Sequence, residues 1–161
     1  MIERYSLPEM KHIWSDEEKV TNWLKVELLV LEALQMSGIV PARDLWKIRQ
    51  NVKVNPASPK ELFKYYSRRS GVNMRRIKEI EKTTRHDLAA FVDQISEGMG
   101  KESRWLHYGL TSSDILDTAT GLQLKKSCLL LLSKLKKLKG TLKKLSLKYK
   151  KTLMIGRTHG V

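Results

Sequence analysis

The sequence predicts an all-α fold, and three observations carry this prediction. Apolar residues recur at intervals of three and four along most of the chain, which is the spacing of one face of a helix. Helix-start and helix-stop residues bracket these runs. No stretch shows the strict alternation of apolar and polar residues that is typical of a half-buried strand. We expect an N-terminal helical domain over residues 1–110, followed by the first long helix of a helical bundle over residues 111–161.

The first helices are bounded by recognisable start and stop signals. The sequence SDEE at residues 15–18 predicts a capping box, in which the serine hydroxyl accepts from an early backbone N–H. An apolar face follows over residues 23–34, and Gly38 is a plausible stop. Pro41 suits the first turn of a shorter helix. Residues 53–71, which contain Asn-Pro, Ser-Pro and Gly, are the least core-like part of the chain, and we interpret them as a surface insertion.

Two more helices and one long helix complete the predicted domains. Ile77 and Ile80 mark one, and the apolar positions from Leu88 to Met99 mark the next. After a polar loop at residues 107–114, one helix continues to about Tyr149. Its apolar positions step alternately by four and three residues, a period of 3.5 that favours packing against other helices. We call these positions the leucine seam: Leu124, Cys128, Leu131, Leu135, Leu138, Leu142, Leu145 and Tyr149.

Composition excludes several classes of protein. With 161 residues, 41% of them apolar, the chain can build a globular core. Its longest apolar run, residues 128–132, is far shorter than the roughly 20 residues of a membrane span. The single cysteine, Cys128, cannot form an internal disulfide, which fits a reducing compartment. We therefore expect a cytoplasmic protein with no membrane partner.

The net charge of +14 is concentrated in one region. Residues 118–161 hold 11 Lys and one Arg and no acidic residue, so they carry +12 of the total. A basic helix of this kind could bind an anionic membrane or a nucleic acid, and this is the alternative function that we consider. The lysines flank a narrow seam instead of gathering on one face, which favours the charged exterior of a bundle helix.

Three polar clusters interrupt the helical pattern: TRHD at residues 84–87, HYGLTSSD at 107–114 and GRTHG at 156–160. Together they offer a guanidinium for an anion, two imidazoles for proton transfer, and hydroxyls beside a helix start. Each cluster also has a structural explanation. Thr84 or Asp87 could cap a helix, as could Thr111 and Ser112, and His159 could be a structural residue in a turn.

Metal binding is not indicated by the sequence. The four histidines show no close ligand spacing, and one cysteine adds little. A Gly-rich phosphate loop of the GxxxxGK type is also missing from the sequence. We therefore expect neither a metal site nor a nucleotide site of the P-loop type.

The order of these motifs resembles a known enzyme family. RYS and PEM at residues 4–10, then TRHD, HYGLTSSD and GRTHG, at these separations, are similar to the adenylosuccinate lyases of the fumarase and aspartase superfamily. The resemblance spans residues 1–52 and 73–161. It implies a homotetramer that acts on a nucleotide without a cofactor, releasing fumarate from adenylosuccinate and from a succinylated aminoimidazole ribotide of purine synthesis.

The resemblance also implies roles for individual residues. Arg4 and Tyr5, together with Arg85, His86 and Asp87, would hold the nucleotide and its phosphate. Thr111 and Ser112 would bind the succinyl carboxylate, and His159 would be the general acid that protonates the leaving nitrogen. An amine leaves poorly without a proton, and an imidazole is a suitable donor near neutral pH.

One feature of the family is missing from this sequence. The Ser-rich loop that carries the base for the Cβ proton would lie beyond Val161. We therefore expect the chain to be the N-terminal third of a lyase, and we expect it to be inactive alone.

Overall fold

The fold is known from a computed structural model, which describes residues 3–52, 71–153, 155, 156 and 159. Every regular element within these residues is helical, which confirms the all-α prediction. No described helix is both long and apolar enough to cross a membrane. The chain divides into two compact units, residues 1–125 and residues 126–161. The proposed domain boundary after residue 110 stays a prediction, and the proposed insertion lies outside the described residues apart from Gly71.

Six α-helices occur in the described ranges, and short 3₁₀ turns at Glu3–Tyr5 and Lys101–Trp105 accompany them. The α-helices are α1 (Pro8–Ile13), α2 (Asp16–Met36), α3 (Ala42–Asn51), α4 (Met74–Thr84), α5 (Asp87–Ser96) and α6 (Ser112–Tyr149). The sequence predicted five of them to within a few residues. It gave no signal for α1, which is only six residues long.

The helix boundaries follow the predicted capping chemistry. The Ser15 hydroxyl accepts a hydrogen bond from the Glu18 N–H at 3.2 Å, which is the first half of the predicted capping box. The second half, in which Glu18 reaches back to the Ser15 N–H, is replaced by a hydrogen bond from that N–H to the His12 carbonyl at 3.1 Å. Gly38 has a φ of 76°, a left-handed conformation that suits glycine after the end of α2. The Asn73 side chain accepts from the Arg76 N–H at 3.1 Å and begins α4 in the same way.

Helix α2 is the centre of the first unit and is buried on several faces. Leu24 and Leu28 are fully buried, and the Trp23 ring meets Phe91 of α5 edge to face, with ring centroids 5.7 Å apart. Each large apolar side chain buried in this way stabilises the fold by about 1.5 to 3 kcal/mol. Leu106, Ile115 and other buried residues beyond α5 belong to the same core. The loop, predicted over residues 107–114, ends at residue 111 because α6 begins at Ser112, and buried residues anchor it to the core on both sides.

The two ends that flank residues 53–70 are held together. The Gly71 N–H donates to the Val52 carbonyl at 3.1 Å, and a Cβ at residue 71 would lie 3.0 Å from the Val52 Cα. Gln94 of α5 fixes the returning chain, since its amide donates to the Gly71 carbonyl and its oxygen accepts from the Asn73 N–H. The chain thus enters α4 from a position beside the end of α3.

The leucine seam is uncovered along the second unit. Leu135, Leu138 and Leu142 are each more than half exposed, and the lysines between them are exposed as well. Such a row of exposed leucines is unusual for a helix in water unless another surface covers it.

Candidate functional site

The TRHD segment forms the turn between α4 and α5. Arg85 ends α4 in the left-handed conformation, with φ 51° and ψ 29°, and its N–H donates to the Glu81 carbonyl at 2.8 Å. A positive φ is uncommon for a residue other than glycine and is a reason to look for function nearby. The Arg85 side chain is exposed, so its guanidinium is accessible to an anion.

His86 caps the N-terminus of α5 with its side chain. The Ala89 N–H donates to His86 Nδ1 at 3.3 Å. A ring nitrogen that accepts a hydrogen bond carries no proton, so neutral His86 has its proton on Nε2. The expectation that Thr84 or Asp87 caps this helix was wrong, because His86 is the N-cap. Capping and binding at TRHD therefore use different atoms of the same imidazole.

The second nitrogen of His86 reaches the HYGLTSSD motif. His86 Nε2 lies 3.4 Å from the hydroxyl oxygen of Ser112, the first residue of α6. Because Nε2 carries the proton, the imidazole donates and the Ser112 oxygen accepts. The hydroxyl proton of Ser112 then stays available for an acceptor such as a carboxylate. The structure thus brings together two of the three predicted polar clusters.

Thr111 has a structural role beside this contact. Its backbone N–H and its hydroxyl both donate to Asp114 Oδ2, at 2.7 Å and 3.0 Å. These hydrogen bonds lower the pKa of the Asp114 carboxyl, and the nearby His107 adds a smaller lowering. Asp114 also lies in the first turn of α6, where a negative charge is favoured. Of the two hydroxyls predicted to bind substrate, that of Thr111 is engaged within the helix start.

His107 is held by a buried carboxylate. The His107 N–H donates to Glu27 Oε2 at 3.0 Å, and His107 Nδ1 lies 2.8 Å from Glu27 Oε1. Glu27 is 1% exposed, whereas the His107 side chain is 24% exposed. His107 itself has a positive φ of 57°.

One cavity of about 260 Å³ joins these groups. Its polar lining includes residues of both motifs and Asp93 of α5, and its apolar lining comes from α5. The lining residues are His86, Leu88, Ala89, Val92, Asp93, His107 and Ser112. The volume is close to the lower end of the range for small-molecule sites, and imidazole and hydroxyl groups are suitable for orienting a polar ligand. Among the described residues, no group of three or more His, Cys, Asp or Glu side chains is placed to hold a metal ion.

The other predicted site residues are not among those that line this cavity. Arg4 and Tyr5 belong to the first 3₁₀ turn, where the guanidinium lies over the exposed Tyr5 ring at 4.8 Å from its centroid. Asp87 accepts from the Leu88 N–H at 2.8 Å and lies 4.0 Å from Lys19 Nζ. His159 belongs to the second unit, exposed and with φ 53°, and its immediate neighbours in sequence lie outside the described residues.

Comparisons with known proteins identify the family to which this chain belongs. The family model described as Lyase matches residues 4–161, and the chain therefore belongs to that lyase family. The solved structure of a fumarate lyase from Mesorhizobium sp. BNC1 has the same fold, with a TM-score of 0.77 and 23% identity. That similarity covers 94% of this chain and 32% of the solved chain.

Two curated relatives carry a more particular name. The adenylosuccinate lyase of Staphylococcus saprophyticus is 43% identical to this chain over 161 residues, and that of Bacillus subtilis is 42% identical over the same length. Both matches cover all of this chain and 33% of the relative. The chain thus spans about a third of the length of these curated relatives. These matches confirm the resemblance that the motifs indicated, and they do not favour the membrane or nucleic-acid alternative.

Sequence reasoning missed one residue that lines the cavity, His107, and the buried carboxylate that contacts it, Glu27. His107 was part of a quoted motif without a role, and Glu27 was not singled out. One signal for Glu27 was present, since it falls between Leu24, Leu28 and Leu31 on the apolar face of α2. A carboxylate at such a position needs a partner. The sequence could not indicate that this partner lies 80 residues further along the chain.

Proposed function

We propose that this chain forms part of the active site of an adenylosuccinate lyase. The enzyme would release fumarate from adenylosuccinate, giving AMP, and from the succinylated aminoimidazole carboxamide ribotide of purine nucleotide synthesis. The strongest support is the 43% identity to a protein named adenylosuccinate lyase, which extends over all 161 residues. The cavity beside His86 and Ser112 offers imidazole and hydroxyl groups to a polar ligand, and the Asp93 carboxylate also lines it.

Each proposed role follows from the chemistry of the side chain. Arg85 offers a forked donor to the phosphate of the nucleotide, with Arg4, Tyr5 and Asp87 as further substrate contacts. His86 contributes its Nε2 proton, and Ser112 contributes a hydroxyl that can donate to a succinyl carboxylate, with Thr111 beside it. His159 is proposed as the general acid at the leaving nitrogen.

The same proposal covers the assembly. An enzyme of this family is proposed to act as a cytoplasmic homotetramer in which the leucine seam packs against helices of other subunits. Such packing would remove from water a row of leucines that are about half exposed in the single chain. It would also allow one active site to use residues of more than one subunit.

A fragment-complementation experiment tests the proposed activity. The 161-residue chain is purified and incubated with adenylosuccinate, and fumarate release is followed with and without the remaining two thirds of the Bacillus subtilis relative. Elimination needs a base at Cβ and an acid at nitrogen that act on one positioned substrate, so we expect no turnover from the chain alone. We expect turnover only after mixing.

One control variant and two contrary outcomes make this experiment decisive. A chain with His159→Ala, mixed with the same fragment, should form the same complex and lose turnover. Turnover by the 161-residue chain alone would show that the base lies within it. A stable mixed complex that binds AMP and never releases fumarate would contradict the proposed function.

A further inference from the structure

Glu27 is a buried carboxylate in the middle of a helix. It is 1% exposed and lies among the apolar residues of α2, between Leu24 and Leu28. Burying an ionised carboxylate is costly unless hydrogen bonds and an opposite charge compensate for it. A hydrophobic residue at this position would satisfy the core better, which indicates that the carboxylate has another role.

Both oxygens of Glu27 are used by one residue of the cavity. Oε2 accepts from the backbone N–H of His107 at 3.0 Å, and Oε1 lies 2.8 Å from the His107 ring nitrogen Nδ1. The first hydrogen bond holds the backbone where His107 has its positive φ of 57°. The second fixes the ring, because a carboxylate can only accept and Nδ1 must therefore carry a proton. His107 is thus fixed in both its backbone and its ring by the same side chain.

We propose that Glu27 is a positioning residue for His107. It keeps the proton of the neutral imidazole on Nδ1, so that Nε2, the nitrogen on the opposite ring edge, can accept and return a proton at the cavity. A carboxylate that holds a histidine in one tautomer has the same effect in acid–base catalysis by other enzymes. The use of His107 in proton transfer rests on the proposed lyase function. The tautomer of His107 does not depend on that function.

The experiment is a measurement of the His107 tautomer in the ¹⁵N-labelled 161-residue chain. Long-range ¹H–¹⁵N correlation spectra separate a protonated ring nitrogen from an unprotonated one. They are recorded at alkaline pH, in the range where the ring nitrogen shifts no longer change with pH, so that the neutral ring is observed. No substrate is added. Wild type is compared with Glu27→Gln and with Glu32→Gln, a matched change at a carboxylate of the same helix that pairs with Arg49 instead.

We expect wild type and Glu32→Gln to carry the proton on Nδ1. In Glu27→Gln, the amide oxygen can accept from the His107 N–H while the amide N–H₂ donates to Nδ1, so the proton should move to Nε2. Circular dichroism checks that the variant is folded. An Nε2 proton in the wild type, or an Nδ1 proton retained in folded Glu27→Gln, would overturn the proposal.

A second measurement covers the case in which Glu27→Gln does not fold. In the wild type, the Nδ1 proton should show a nuclear Overhauser contact to the Glu27 side chain, and absence of that contact would overturn the proposal. Because no substrate is present, an unexpected tautomer leaves the lyase proposal untouched. Absence of turnover after complementation would likewise leave the measured tautomer unchanged.

Discussion

Substitutions at His86 can separate its capping role from its binding role. His86 Nδ1 accepts from the Ala89 N–H, and Nε2 lies 3.4 Å from the Ser112 hydroxyl oxygen. His86→Ala removes both contacts. His86→Asn keeps an acceptor of the kind preferred at helix N-caps and is too short to replace Nε2 at Ser112. A chain in which His86 only caps α5 would tolerate asparagine in every assay.

The expected magnitudes of the two changes differ. Loss of an N-cap costs about 1 kcal/mol of unfolding free energy, which is a fall in Tm of about 2 to 4 °C for a domain of this size. His86→Asn should stay within about 0.5 kcal/mol of the wild type because asparagine is among the best N-cap residues. Loss of a hydrogen bond in a charged site costs about 1.5 to 3 kcal/mol, or roughly a ten- to hundredfold fall in kcat/KM.

Stability is measured by urea denaturation with circular dichroism as the signal. Activity is measured as fumarate release in the complemented mixture. Both variants should lose turnover, and only His86→Ala should lose stability. Full turnover by His86→Asn would assign His86 to capping alone and refute the proposed binding role. A stability loss in His86→Asn as large as that of the alanine variant would refute the assignment of Nδ1 as the cap.

Two further predictions concern α6. The pKa of Asp114 is lowered in the folded state, so its stabilising effect is present above about pH 4, the ordinary value for aspartate, and is lost as the pH falls through the lowered folded pKa. Asp114→Asn should remove this pH dependence from the urea midpoint. Asp117→Asn, at an exposed position of the same helix, should keep it. Equal pH profiles for the two variants would contradict a stabilising role for the hydrogen bonds between Thr111 and Asp114. We expect the uncovered seam to make the 161-residue chain self-associate, and Leu135→Asp combined with Leu138→Asp should reduce it to an 18.6 kDa monomer by light scattering. A mass equal to that of the wild type would exclude the seam as the contact.

Much of the fold was predictable because helix boundaries are set by local chemistry. The cap at Ser15, the turn at Gly38 and the end of α6 at Tyr149 each depend on residues within one or two helical turns. Helix α1 escaped prediction for the same reason. It has six residues and no buried side chain, so it lacks the periodic apolar face that pattern reasoning needs.

The site was predictable only in part, since its key contacts are long-range. The motifs identified His86 and Ser112 as candidates, but the hydrogen bond between them joins residues 26 positions apart. The pairing of Glu27 with His107 spans 80 positions. Such contacts result from the packing of α2, α5 and the start of α6, and a single sequence gives no direct information about that packing. Sequence patterns therefore indicated which residue types carry the chemistry. The structure showed which atoms of these residues form hydrogen bonds and with which partners.

The two histidines of the cavity differ in what their hydrogen-bond partners leave available. A backbone N–H occupies Nδ1 of His86 and leaves a proton on Nε2, while a carboxylate occupies Nδ1 of His107 and, by our inference, leaves a lone pair on Nε2. The same side chain thus serves as a donor at one wall and an acceptor at another. If the backbone N–H and the carboxylate were exchanged between the two histidines, the donor and acceptor roles of their Nε2 atoms would be exchanged as well, because the partner of Nδ1 sets each role. Because the His86 proton is directed at the Ser112 oxygen, a polar ligand that bridged both walls would need an acceptor facing the Ser112 hydroxyl and a proton facing His107, which restricts its orientation in the cavity.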